Sequence, residues 1–291
     1  MFSIIVPTFN NIEYLKILLN SLKKNSKFNN EIILHVNEGS DGTIEYVKEN
    51  NIKHTYTENN VGLCTATNLA ASKATTNYIL YTHDDMYFCP DWDEILNNEI
   101  KNLNTDAYYI SGTMIEKSSG HIQLDCGSDY NDFDEEKFLR EYNKNKFFDH
   151  QGSHWAPHLI HKNLWNKIGG FSEEFNPGIG SDPDLNMKLW KSGVRIYKGL
   201  SKFRVYHFGS IVLRKKKNFK RNKGAKTFLL KWGITPTFFV RFYLRGGRFE
   251  NGIIKCNKYE GELKEPIKNI SFSIRLMLCK LSLIYTNIFK F

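Results

Sequence analysis

Residues 77–92 read NYILYTHDDMYFCPDW, in which an apolar run ends on two adjacent carboxylates. Asn77 to Thr82 has the composition of a buried strand. Asp84 and Asp85 are then held at a fixed strand end. Two carboxylates this close repel unless a proton or cation sits between them. Mg²⁺ and Mn²⁺ prefer oxygen ligands and bridge to diphosphates, which makes the pair a candidate metal site. The plainer alternatives are solvated loop acids or a helix cap for Trp92–Leu96.

Upstream, Phe2 to Val6 forms a short apolar strand stopped by Pro7. Ile12, Leu15, Leu18, Leu19 and Leu22 then recur at helical spacing. Glu31 to Val36 is a second strand, followed by a turn at Gly39–Gly42 and a helix from Thr43 that Asp41 can cap. Ile52 to Tyr56 suggests a third strand, and Asn60-Val61-Gly62 opens a helix through Ser72. This alternation predicts an α/β fold: a Rossmann-like, mostly parallel open sheet with flanking helices. In such sheets ligands sit beyond the carboxyl ends of the strands. Three polar loops leave those ends: Pro7–Asn11, Asn37–Asp41 and His83–Met86.

Downstream the pattern is less regular. Ala107 to Met114 reads as a strand, and residues 129–150 as a mobile segment or a helix over the site. Residues 158–169 read as a helix ended by Gly169-Gly170. Residues 183–193 read as a helix with Pro183 in its first turn and Gly193 as its C-terminal cap. Val194–Tyr197 and Phe203–Phe208 read as two strands. Within Gly178-Ile179-Gly180-Ser181-Asp182-Pro183-Asp184, one acid can serve as a general base, and helix capping is the competing role. His207 ends a strand just before a basic run, where a histidine is a ligand candidate.

The chain has 291 residues, 41% of them hydrophobic and 24% charged, which excludes a disordered tail or a small disulfide scaffold. Net charge is +9 but unevenly placed: residues 201–291 carry 21 Lys+Arg against 4 Asp+Glu (+17), leaving 19 against 27 (−8) in residues 1–200. Basic ends attract phosphates. The five scattered cysteines contain no CxxC pair and are read as reduced thiols, not as a zinc site or a disulfide frame. No signal peptide and no clear membrane span are visible, so a cytoplasmic protein is expected.

Six segments occur in an order that resembles glycosyltransferase family 2, whose members have the nucleotide-diphospho-sugar-binding GT-A fold. They are SIIVPTFNN, EIILHVNEGSDGT, NNVGLCTATNLAAS, YILYTHDDMYFCPDW, IGGFSEEFNPGIGSDPDLNMKLWKSGVRIY and RVYHFGS, covering roughly residues 1–210. The resemblance implies a metal-dependent, inverting transferase. It moves a sugar from a UDP, GDP or dTDP donor to a glycan or lipid-linked oligosaccharide in surface polysaccharide synthesis. It also implies roles. Pro7, Thr8, Asn10, Asn37, Glu38 and Asp84 would bind the nucleotide-sugar. Asp85 and His207 would hold Mn²⁺ or Mg²⁺. Asp182 would be the catalytic base. Trp155 and Asp184 would face the acceptor, with Asp184 also the reserve base or a structural cap. His83 stands where a strict DxD has its first acid, which puts more of the metal on Asp85. Ser181 stands where the family usually has Glu.

A division into a catalytic domain, 1–210, and a basic, mainly helical extension, 211–291, follows. Residues 214–223 contain seven basic residues. They suit a lid over the donor diphosphate, an anionic lipid surface or, third, nucleic acid, which the absence of a recognition module argues against. In the tail, Ile270, Ile274, Met277, Leu278, Leu281, Ile284, Tyr285 and Ile288 follow helical spacing, with Lys268, Arg275 and Lys280 nearby. That is an amphipathic helix suited to the inner face of a membrane; packing on the catalytic domain is the alternative. Two other functions are weighed: a nucleotidyltransferase, which would need a Gly-rich basic loop that PTFNNIEYL lacks, and a non-catalytic sugar-nucleotide or glycan-binding module.

Overall fold

The computed structural model describes residues 1–209 and 223–289. Four of its strands, β1 (Ser3–Phe9), β2 (Glu31–Asn37), β3 (Lys53–Thr57) and β4 (Tyr78–Tyr81), form one parallel unit with β1 central between β2 and β4. The helices between them, α1 (Ile12–Lys24), α2 (Thr43–Glu49) and α3 (Leu63–Ala71), supply the crossovers that parallel pairing requires. Leu15, Leu18, Leu19 and Leu22 of α1 are buried, as the periodicity predicts. The remaining sheet adds β5 (Met86–Phe88), β6 (Tyr108–Glu116), β9 (His158–His161) and β10 (Ile196–His207), in the order β3-β2-β1-β4-β9-β6-β10-β5, with β7 (Ile122–Gln123) beside β6, β8 (His150–Gln151) beside β10 and α4 (Trp92–Asn102) between β5 and β6 in the chain. Only β9 and β5 run against the rest of that order. The carboxyl ends of β1, β2, β4, β6 and β10 therefore lie along one edge.

Three expectations are corrected. Residues 158–169 are not one helix: His158–His161 is a strand and only Lys162–Ile168 (α6) is helical. All four residues of that strand are buried, because β9 fills the gap between β4 and β6 and hides both faces. Residues 194–208 are not two strands but a single one, β10, whose register against β6 shifts between Gly199 and Arg204. Residues 129–150 contribute no lining to the cleft at the sheet's carboxyl edge. Their helix α5 (Glu135–Glu141) drives Phe138 into a satellite core with Tyr14, Tyr87, Tyr206 and Phe208.

The C-terminal part joins the main core. Phe228, Leu229, Phe238, Phe239, Phe242, Leu244, Ile254 and Leu263 are buried in the same cluster as the sheet. The basic run 214–223 lies outside the described residues except for Lys223, which is exposed.

Candidate active site

Along the carboxyl edge opens a cleft of about 290 Å³, lined by Pro7, Thr8, Asn37, Asp84, Asp85 and Asp182 together with Tyr81, His83 and the Pro177–Ile179 loop. Asp84 lies just past β4, and its neighbour in the sheet, β1, together with the loop after β1, supplies its donors. Thr8 Oγ1 donates to it at 2.7 Å and Asn11 Nδ2 at 3.0 Å. Burial and then the adjacent Asp85 charge raise the Asp84 pKa, and those two donors oppose the rise. The pair is thus built for a neighbouring cation or proton.

The register supplies that charge. β10 pairs with β6 so that Tyr206 faces Ile115, and with β5 so that His207 faces Met86. His207 is thereby set between Glu116 and Asp85. Nδ1 lies 2.6 Å from Glu116 Oε1, and Nε2 lies 3.4 Å from Asp85 Oδ1. Burial pulls the His207 pKa down, but the two carboxylates outweigh it and push it up to about 10. Without a metal, His207 is an imidazolium that offsets both acids. His83 stands beside it, ring centroids 5.8 Å apart, and burial lowers its pKa to about 4. One ligand atom each of His83, Asp85 and His207 lies within 4.8 Å of the others. Two imidazoles and a carboxylate fit Mn²⁺ better than the all-oxygen shell that Mg²⁺ prefers.

Asp182 lines the same cleft from a different segment. Gly178 and Gly180 take positive φ values of 150° and 88°, which turn the chain into helix α7 (Ser181–Lys191). Ser181 Oγ closes the turn on the Gly178 carbonyl at 2.6 Å. Asp182 is half-buried at the cleft wall, and burial pushes its pKa up to about 7. Among the described residues, none donates a hydrogen bond to its carboxylate. A carboxylate poised near neutrality and facing a cavity can accept a proton from a bound hydroxyl.

Asp184, two residues on, has another fate. It is fully buried and accepts from Ser172 Oγ at 2.6 Å and Trp232 Nε1 at 2.8 Å, with Lys231 Nζ at 2.9 Å. It ties α7 to the helix Gly224–Trp232 and does not line the cleft. Trp155 does not line it either. It is half-buried among His121, His154 and Phe249.

Asn10 and Glu38 bridge the β1 and β2 loops at the cleft's outer side. Asn10 Nδ2 donates to Glu38 Oε2 at 2.8 Å, and Ser40 N donates to Asn10 Oδ1 at 3.0 Å. Both residues adopt positive φ, 45° and 59°, a strained geometry concentrated where loops carry function. Asn37 is buried and accepts from Val61 N at 3.0 Å, fixing the approach to α3. His83, Glu116, Asn11 and Tyr81 were missed as site residues by the sequence reading. Tyr81 lines the cleft, and its buried hydroxyl lacks a hydrogen-bond partner among the described residues.

No curated protein sequence matches the chain. Among solved structures, S. aureus TarS residues 1–349 superpose with a TM-score of 0.54 at 19% identity, covering 71% of this chain and 60% of that one. The same TarS fragment in complex with UDP-GlcNAc gives 0.53 at 20% identity, covering 72% and 60%. Its complex with UDP gives 0.53 at 20% identity, covering 70% and 59%. The chain thus spans about 60% of the length of those structures. At this identity the likeness is one of fold. The family model Glycosyl transferase family 2 matches residues 3–166. More than half of the sequence falls in that match, and the chain belongs to glycosyl transferase family 2, with the mostly parallel GT-A sheet of that family.

Proposed function

We propose that the protein is an inverting glycosyltransferase that uses a nucleoside-diphosphate sugar, with UDP-GlcNAc the first donor to test. The observation that carries this reading is that Asp84, Asp85 and Asp182 line one cleft. The donor preference rests on the UDP and UDP-GlcNAc held by the TarS structures. In this reading Pro7, Thr8 and Asn37 line the nucleoside end and Asp84 orients the ribose side. His83, Asp85 and His207 would hold Mn²⁺ or Mg²⁺, which when bound neutralises charge on the leaving diphosphate. Asp182 takes the proton of an acceptor hydroxyl. The hydroxyl oxygen forms a bond to the anomeric carbon from the face opposite the diphosphate, and the carbon–diphosphate bond breaks with its electron pair leaving on the nucleotide. Opposite-face attack inverts the anomeric centre. Acceptors of the glycan or lipid-linked class, in surface polysaccharide synthesis, follow from the same kinship.

Calorimetry with UDP-, GDP- and dTDP-sugars, with and without Mn²⁺, tests the donor. UDP-GlcNAc is expected to bind only with Mn²⁺ and to be slowly hydrolysed. Binding by no donor, with or without metal, would favour a non-catalytic module.

A peripheral membrane placement is part of the proposal. The helix Ile270–Phe289 packs through Phe272, Leu276, Cys279 and Leu283. Its other side leaves Ile270, Ile274, Met277, Leu278, Leu281, Ile284, Tyr285 and Ile288 exposed. Lys268, Arg275 and Lys280 are also exposed. Apolar area flanked by cations suits an anionic lipid interface. No helix among the described residues is long and apolar enough to cross a membrane. Co-sedimentation with anionic liposomes is expected for the full chain and not for a chain lacking 267–291; equal pelleting of both rejects this placement.

A further inference from the structure

Beyond the cleft lies a second cluster, formed by His121, His150 and Cys256. One ligand atom of each lies within 4.8 Å of the other two. None of the three lines the donor cleft. Scattered cysteines with no paired spacing argued against zinc, but the fold assembles these ligands from three separate segments.

Backbone pairing brings them together. Ile254 N donates to the Gly120 carbonyl at 2.8 Å, beside His121. Gln151 N donates to the Asn257 carbonyl at 2.9 Å, which sets His150 against the segment carrying Cys256. The hairpin of β11 (Arg248–Glu250) and β12 (Ile253–Lys255) is thus laid against Gly120 and the segment after it against His150 and Gln151, and Cys256 follows the hairpin directly.

The histidines have spare ligand capacity. His121 is 5% exposed and His150 is fully buried. His121 Nδ1 accepts from Met114 N at 2.9 Å, which fixes the ring and leaves Nε2 to the cluster. That Nε2, and both nitrogens of His150, are buried without a hydrogen bond among the described residues. The Phe148 carbonyl is near enough to favour a proton on His150, but it completes no bond of ordinary geometry. Leaving such atoms unpaired in the interior is unfavourable. The His121 and His150 rings lie 4.6 Å apart between centroids, so charging both would be repulsive. Burial lowers the pKa of each, which keeps the imidazoles neutral and able to donate a lone pair. Buried neutral imidazoles and a thiol turned toward one another are the donor set of a zinc site.

We propose that His121, His150 and Cys256 bind one Zn²⁺, with water in the fourth position, and that the ion clips the 248–256 hairpin to the catalytic sheet. On binding, the thiol proton of Cys256 is released to solvent and the thiolate enters the coordination shell. The site is separate from the Mn²⁺ or Mg²⁺ site of the cleft and does not depend on the transfer reaction.

The test is zinc content and cobalt spectroscopy of the full-length protein. After zinc loading and gel filtration, wild type should retain about one zinc per chain. Asp85→Ala should retain the same amount. Cys256→Ser and His150→Ala should each lower zinc affinity by about 100-fold or more. Cobalt in place of zinc should give a thiolate-to-metal charge-transfer band in wild type and lose it in Cys256→Ser. Should a variant not fold, as judged by circular dichroism, the wild-type cobalt band decides. Its absence, or a wild type that retains no zinc, overturns the proposal. So does zinc retention that is unchanged in folded Cys256→Ser.

Discussion

Asp182→Asn is expected to lower kcat by about 10²–10⁴-fold, the usual worth of a positioned general base, while donor affinity stays as in the wild type. The wild-type rate should climb with pH and level off above about 7, the value to which burial pushes Asp182. Stability should run the other way. An acid whose folded pKa is raised from 3.8 to about 7 favours folding fully below 3.8, and that contribution is lost as pH rises through about 7. At pH 8 the ionised carboxylate thus costs the fold stability. The asparagine variant should therefore need more denaturant to unfold than the wild type at pH 8, while being far slower. A merely damaged protein would be both slower and weaker. Activity retained within about tenfold would remove Asp182 from the base role, and urea titrations at pH 5 and pH 8 would separate the two causes.

What could be read in advance followed from local periodicity. The run Asn77–Thr82 and the leucines of α1 announce a strand and a helix because one face, or both, must be apolar. The same rule explains the failures. His158–His161 is buried on both sides, so it shows neither alternation nor helical phase. β10 is broken by a register shift that no residue pattern marks. The site was legible where its residues adjoin a strand end, as with Asp84, Asp85 and Asn37. It was less legible where partners come from distant strands: Glu116 meets His207 across 91 positions. Asp182 and Asp184 look interchangeable as neighbours in a line. On a helix, residues two apart face different ways, and here one turns to the cleft and the other to Lys231 and Trp232. The His121, His150 and Cys256 cluster is the same lesson at longer range.

The second large effect is expected from Asp85→Ala and His207→Gln, which break one unit in different ways. Asp85→Ala removes the only carboxylate of the His83–Asp85–His207 group. Mn²⁺-dependent donor binding should be lost, and kcat/KM should fall by about 10²–10³-fold or more, as when an electrostatic stabiliser of the leaving group is deleted. His207→Gln leaves Asp85 and Glu116 without the cation between them. In the metal-free protein a histidine raised from 6.5 to about 10 adds stability that is complete below 6.5 and lost as pH rises through about 10. At pH 7 the metal-free glutamine variant should thus be less stable than the wild type. The decisive reading is the proton count. If His207 is a ligand, Mn²⁺ must displace the proton it carries at pH 7, so calorimetry in buffers of different ionisation enthalpy should show about one proton released per metal bound. His207→Gln should release about one proton fewer than the wild type. Release unchanged in that variant would make His207 a fixed cation beside Asp85 and leave the metal to Asp85, His83 and the donor's own phosphates.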